Sequence, residues 1–472
     1  MPPANKLARK LTLQDAILLL AGGIIGSGIF LTAQDIALNT RAPWLFLSVW
    51  VLGIFITLLA CFAFAEMGAM FPDAGGQYVY LREAYGEFAA FLYGWMIFTV
   101  SNGGTIAALA VGFALYMGNV FPSLASESAV WTIPGFSFLG HIGWTVPALA
   151  ITRGHLVGIT AIAGQTLVNI FGVRRGALLQ NVSTWVKFGA IAAFVLLGLA
   201  IGTGSWRHYS SALPSAASPL PMWRALGVAL IAVFWALDGW VYVTWVAGEV
   251  KVPERNLPRS LILGLLLVGT IYLAINAVYL YALPMSGIAA TTTVAQAAAV
   301  SMFSATAGRW LALMIAVSCF GAMASCILSG ARVYYAMAEN GVFFRVLAKV
   351  HPRWRTPVWS LVLQGIWSAV LVLILEYADL FTYVMFMMVL SYVMTVVALF
   401  VLRYKMPGAE RPYRCFGYPW LPALYIAFGS IWAGIVLWEK TRDSLIGISI
   451  VLVGVPFYFY WRRQKKLAAA AH

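Results

Sequence analysis

Two stretches interrupt apolar runs with closely spaced glycines: Ala21-Gly22-Gly23-Ile24-Ile25-Gly26-Ser27-Gly28-Ile29-Phe30 and Phe234-Trp235-Ala236-Leu237-Asp238-Gly239-Trp240. If these runs are membrane helices, unwinding there frees backbone N–H and C=O groups that lipid cannot satisfy. Such groups must face protein, water or a ligand. A half-helix N-terminus favours a carboxylate and a C-terminal end favours an ammonium, so a zwitterion suits the pair. Gly22 and Gly26 also form G-x-x-x-G, which alone reads as helix packing; Gly28 adds a close glycine that packing does not need. Asp238 is open to two roles, shaping the unwound backbone or contacting the ligand. Lys187 lies midway along a third apolar run, in Thr184-Trp185-Val186-Lys187-Phe188. A mid-helix lysine costs roughly 2.5–3.5 kcal/mol on insertion scales. It needs polar neighbours, or it must give up its charge. Both ends of the run are several residues away, so an internal role fits better than snorkelling.

The elements that position these residues follow from composition. Of 472 residues, 62% are apolar and 10% charged, and the mean hydropathy is +0.86. A soluble protein carries about 25% charged residues, so a water-soluble globule is excluded, as is a disordered chain. A span needs about 20 apolar residues. Twelve segments qualify, at roughly 13–38, 44–70, 86–118, 146–171, 178–202, 224–249, 260–283, 304–338, 358–376, 379–403, 419–438 and 444–461. The third and eighth are long enough to tilt. The fourth contains Arg153 and His155, so it starts later or those side chains snorkel. The first follows Lys6, Arg9 and Lys10 without an A-x-A site, which reads as a retained span rather than a cleaved signal. Segments 1 and 6 hold corresponding places in two five-span blocks. Paired interruptions of this kind point to an inverted-repeat transporter.

The formal net charge is +14. In a soluble chain that would suggest nucleic acid; here it sets topology. With twelve spans, 22 Lys and Arg residues fall on the side of the N-terminus and 6 on the other, with Arg153 and Lys187 inside spans. The asymmetry places both termini in the cytoplasm. Cys61, Cys319, Cys326 and Cys415 show no disulfide pattern. There is no Gly-Lys dipeptide for a phosphate loop, no His pair at i, i+4 and no Cys-x-x-Cys. An enzyme therefore has little support, and neither a catalytic residue, a metal nor a cofactor is expected. A channel would show charge rings or a filter repeat, and neither is present.

These motifs resemble the amino acid–polyamine–organocation superfamily of transporters, in particular its L-type amino acid transporter family, in a bacterial form with short tails. The first glycine stretch looks like the first-helix signature. Phe64-Ala65-Glu66-Met67-Gly68-Ala69-Met70-Phe71-Pro72-Asp73-Ala74-Gly75-Gly76-Gln77-Tyr78 and the residues to Gly86 look like the motif after the second helix. Phe234 to Trp240, followed by Gly248-Glu249-Val250-Lys251-Val252-Pro253-Glu254-Arg255-Asn256-Leu257-Pro258-Arg259, looks like the sixth-helix region. The resemblance covers nearly the whole chain. It implies an all-α membrane protein of twelve helices with a LeuT-type 5+5 inverted repeat and broken helices 1 and 6. The chain, 1–472, would be one transporter domain: repeat 1 at 13–202, repeat 2 at 224–403, and two extra helices at 419–461.

The resemblance also implies roles. The substrate-binding set is Gly22, Gly23, Ile25, Gly26, Ser27 and Gly28 of the first break, with Trp235, Ala236, Leu237, Asp238 and Gly239 of the second. The Gly26-Ser27-Gly28 backbone would take the substrate carboxylate. Carbonyls near Gly22 and Gly23 and from Trp235 to Leu237 would take its ammonium. Trp235 matches an aromatic gate. Lys187 matches a lysine that replaces a sodium ion and bridges helices 1 and 8, with Ser318 as its partner on helix 8. Residues 119–145 contain no Cys, so no disulfide-linked heavy subunit is expected; the partners are an amino acid substrate and membrane lipids, not nucleic acid. The function expected is sodium-independent exchange of neutral L-amino acids across the cell (inner) membrane by alternating access. Proton symport, with Lys187 losing its proton, is the alternative. Side-chain selectivity would come from spans 3, 6, 8 and 10, with Ser101 and Asn102 as polar candidates. Tyr334 and Tyr335 read as interfacial anchors, and Arg345 to Arg355 as a solvated or headgroup-facing loop.

Overall fold

A computed structural model describes residues 7, 9–124, 129–138, 144–146, 149–214, 220–374 and 377–470. The chain is mostly helical. The first apolar run forms α1 (Leu13–Ile24), breaks at residues 25–27, and resumes as α2 (Gly28–Leu31) and α3 (Ala33–Thr40). Then come α4 (Pro43–Met70), α5 (Gln77–Tyr85), α6 (Glu87–Met96) and α7 (Asn102–Val120), the last two joined by a π-helical turn at Ile97–Ser101. After α8 (Arg153–Ile170) and α9 (Val173–Ile201), the second interrupted run gives α10 (Met222–Leu237) and the single turn α11 (Tyr242–Trp245). The rest is α12 (Pro253–Ala282), α13 (Met285–Ala289), α14 (Val294–Met302), α15 (Ala305–Glu339), α16 (Val358–Ile374), α17 (Tyr377–Lys405), α18 (Trp420–Glu439) and α19 (Thr441–Ala470).

Among the described residues, nine helices are long and apolar enough to cross a membrane, and α10 and α16 are shorter apolar helices. Closed intrahelical hydrogen bonding is what permits such segments in hydrocarbon. The 28 residues of α4 span about 42 Å at 1.5 Å per residue, more than a bilayer core needs. α1, α7, α12 and α15 pack together at the centre, with α4 against α12 and α9 against α1 and α15. The two broken runs therefore sit inside the bundle. α18 and α19 lie at the periphery, with most of their apolar surface facing outward.

The expected all-α class needs one correction. Between α7 and α8, β1 (Ala129–Ile133) pairs antiparallel with β4 (Leu149–Thr152), enclosing the pair β2 (Phe136–Phe138) and β3 (Trp144–Val146). This moves the start of the fourth span from 146 to Arg153. The reason is local. Thr152 accepts from the His155 N–H at 3.3 Å, and its own N–H donates to His155 Nδ1, a capping box that begins the helix. Arg153 donates to the Ser123 carbonyl at 3.0 Å. Both polar residues mark the helix entrance, and neither needs to snorkel.

Buried ion pairs gather at the end of the bundle that carries the N-terminus. Arg332 of α15 donates to Glu249, Nε to Oε1 at 2.6 Å, with both side chains buried. Glu66 near the end of α4 accepts from Arg403 at 2.6 Å, from Arg411 at 3.1 Å and from the Cys415 N–H at 2.6 Å. Arg332 is thus an internal strut between α15 and the segment after α11. Beside it, Leu11 bridges Val250 in parallel register, and Lys10 and Leu11 donate to the Glu249 carbonyl. Removing one partner of a buried pair strands the other, at a cost of about 3–5 kcal/mol. Arg332→Met should lower the denaturation midpoint of the detergent-solubilised protein, and adding Glu249→Gln should restore most of the loss. An unchanged midpoint in the single variant would show that the pair does not hold the two segments together.

Candidate functional site

The break in α1 leaves carbonyls without helical donors. The Ile25 N–H still reaches the Ala21 carbonyl at 2.9 Å, but the Gly26 N–H turns back to Ile24 at 2.8 Å. The Gly22 carbonyl therefore loses the donor that a continuous helix would supply. Lys187 takes its place. Its Nζ donates to the Gly22 carbonyl at 2.9 Å and to the Ile25 carbonyl at 2.6 Å. Ser318 Oγ of α15 donates to the same Ile25 carbonyl at 3.1 Å. Lys187 is 2% exposed, and among the described residues no carboxylate lies within ion-pair distance of it. Its partners are instead the carbonyl dipoles at the C-terminal end of α1, where a cation is favoured.

The two breaks meet. A Cβ at Gly28 would lie 2.7 Å from the Ala236 Cα, so only glycine lets α2 approach the last turn of α10 this closely. Gly239 has φ +104°, and a Cβ there would lie 2.9 Å from the Gly23 carbonyl carbon. Tyr272 of α12 joins the two. Its hydroxyl lies 3.0 Å from the Ile24 carbonyl and 3.0 Å from the Ala236 carbonyl. With one proton, it ties either break or shares between both. Asp238 follows α10 directly; Tyr392 of α17 donates to its Oδ1 at 2.6 Å, and the Gly239 N–H also bonds it. This carboxylate is thus held by its own unwound backbone and by α17.

The remaining expected residues are placed as follows. Ser27 is buried, and a Cβ at Gly112 of α7 would meet its Cβ at 3.1 Å. Trp235 is 6% exposed, one residue before the Gly28 contact, and Leu237 ends α10. Gly22 lies against Gln180 and Thr184 of α9, and Gly26 faces Leu109 and Ala322; both glycines therefore serve packing as well as the break. The Gly22 carbonyl, expected to receive a substrate ammonium, here receives that of Lys187. Asn102 is buried and donates toward Gln364 at 3.2 Å and Tyr334 at 3.4 Å. Tyr334 and Tyr335 are buried, not interfacial anchors, because α15 runs through the bundle centre.

Several residues escaped the sequence reading. Tyr272 and Tyr392 sit in ordinary apolar contexts with no local signal, and Gln180 opens the polar stretch Gln180-Asn181-Val182-Ser183-Thr184, which was not singled out. The role of the Gly75-Gly76 motif is also clear only in three dimensions. The Gly75 N–H donates to the Trp245 carbonyl at 2.9 Å, and Gly76 lies against the Thr244 backbone, so the loop after α4 caps the end of the second break. Among the described residues, no three His, Cys, Asp or Glu side chains gather as metal ligands.

Two helix breaks thus adjoin at the centre of the bundle, buried and lined by backbone dipoles. The sequence profile described as amino acid permease matches residues 11–456. The chain belongs to the amino acid permease family. Three relatives match it over 98% of its length. It is 32% identical to the serine/threonine exchanger SteT of Bacillus subtilis, covering 98% of that protein. It is 27% identical to the human large neutral amino acids transporter small subunit 2, covering 82% of it, and 28% identical to the mouse Asc-type amino acid transporter 1, covering 83%. This permease is an amino acid transporter of the amino acid–polyamine–organocation superfamily, a multi-span membrane protein and not an enzyme. If the Tyr272 hydroxyl joins the two breaks, Tyr272→Phe should fold with a loss of about 0.5–1.5 kcal/mol and slow transport several-fold. Thermal unfolding together with initial uptake rates checks this; unchanged uptake would show that the breaks do not need the bridge.

Proposed function

We propose that the permease exchanges small neutral L-amino acids without sodium, in a LeuT-type arrangement of twelve spans with both termini in the cytoplasm. The repeats would be 13–202 and 224–403, followed by α18 and α19. The observation that carries the reading is the Lys187 ammonium seated on the Gly22 and Ile25 carbonyls, with Ser318 closing it from α15. A protein cation there would do the work of a bound metal cation, holding α9 to α1 while Ser318 ties the same Ile25 carbonyl to α15. The N–H groups of Gly28 and Ile29 open the first turn after the break, where a substrate carboxylate suits the helix end. Carbonyls at the C-terminal end of α10 suit its ammonium. Backbone contacts of this kind read the α-amino acid group and leave side-chain choice to the walls. The name of the serine/threonine exchanger favours small substrates.

For alternating access the basic end must open and close. A cleft of about 750 Å³, bordered by Arg9, Asp73, Arg82 and Glu339, lies beside the backbone pairing of Leu11 with Val250 and the Arg332–Glu249 pair. We read these contacts as the inner closure, which must separate for release to the cytoplasm. Proteoliposomes test the reading. Labelled serine or threonine should enter sodium-free vesicles only when they are preloaded with unlabelled amino acid, and a pH gradient should not change the rate. Uptake into empty vesicles driven by an inward proton gradient would replace exchange with symport, and a sodium requirement would overturn the role given to Lys187.

A further inference from the structure

At the basic end of the bundle, the last turns of α19 and the segment after α15 enclose a second cleft, of about 470 Å³. It lies away from the helix breaks. Its floor is aromatic: the rings of Phe343 and Phe344 lie 5.1 and 5.2 Å from the Trp461 ring. Its outer wall is apolar and open, with Phe344 50%, Tyr460 58% and Leu467 55% exposed. Its rim is cationic. Lys465 lines it, with its stem across Gly341 and its ammonium on Glu87. Arg345 also lines it, exposed, and among the described residues it has no carboxylate within ion-pair distance.

The location narrows what can fill the cleft. α19 is apolar up to Trp461 and then reads Arg462-Arg463-Gln464-Lys465-Lys466 within little more than one turn. A change of this kind marks where a helix leaves hydrocarbon, and aromatic side chains gather at that level. The slot thus offers apolar surface on its membrane side and a free guanidinium on its water side. A soluble ligand would leave the aromatic wall against lipid, and a neutral lipid would leave Arg345 without an anion. A planar guanidinium binds phosphate oxygens two at a time, and basic pockets between membrane helices suit anionic headgroups. We propose that this cleft holds one anionic diacyl phospholipid, its phosphate on Arg345 and an acyl chain along Phe344 and Tyr460. The lipid joins α19 to the end of α15, the helix that carries Ser318 and Arg332. The proposal does not depend on which amino acid is carried.

Native mass spectrometry of the full-length protein, in micelles doped with equal phosphatidylglycerol and phosphatidylcholine, tests it. The wild type should retain phosphatidylglycerol in preference. Arg345→Gln should cut the tightest phosphatidylglycerol adduct roughly tenfold, the loss of one charge-assisted pair. Arg345→Lys should keep most of it. Arg255→Gln, which removes an exposed basic residue elsewhere on the same face, should change nothing. Excess inorganic phosphate should leave the lipid bound. Equal retention of the two lipids, full retention by Arg345→Gln, or displacement by inorganic phosphate would each overturn the proposal.

Discussion

The structure turns on carbonyl groups that the first helix break deprives of their helical donors. In hydrocarbon such groups need partners from the protein itself. Three side chains from three other helices supply them: Lys187 from α9, Ser318 from α15 and Tyr272 from α12. The break is therefore the point where four helices are joined by hydrogen bonds rather than by apolar contact. The second break adds to the same knot, because Tyr272 also reaches the Ala236 carbonyl and Gly239 lies on Gly23. A helix that ends in mid-membrane is costly unless it is capped; here capping and inter-helix linkage are the same set of bonds.

That arrangement explains why Lys187 is tolerated inside the bundle. A buried ammonium without partners is expensive. Seated at the C-terminal end of α1, it meets fixed carbonyl dipoles that are themselves in need of donors, so each group offsets the desolvation of the other. The basic end is built differently, from ion pairs. Glu66 gathers two arginines and a backbone N–H, and Glu249 gathers Arg332. Carbonyl–cation contacts hold the centre, and carboxylate–guanidinium contacts hold one end. On the exchange reading, the Arg332–Glu249 pair is the one of these that breaks and re-forms in each cycle.

Much of this was legible in the sequence, for physical reasons. Gly26-Ser27-Gly28 and Asp238-Gly239 announce interruptions because glycine and aspartate are poor residues to spend inside an apolar helix, and Lys187 announces itself by the cost of its charge. Ser318 could be named only through the family resemblance, and the geometry brings it to Ile25. Tyr272 and Tyr392 were not legible: a tyrosine in an apolar run looks the same whether its hydroxyl meets headgroups or a buried carbonyl. The same ambiguity misplaced Tyr334 and Tyr335 at the interface. The strands between Ala129 and Thr152 were missed because most of them fall before the apolar segment that hydropathy starts at 146, whereas the capping box at Thr152 and His155 sets where the helix begins.

The most direct test of the account is transport by Lys187→Met in sodium-free proteoliposomes, with and without a small monovalent cation added. If a cation on the Gly22 and Ile25 carbonyls holds the break in its working shape, the variant should remain folded, lose exchange, and regain part of it when methylammonium or sodium is supplied. Exchange at the wild-type rate with no added cation would contradict the account, since the break would then need no cation at all.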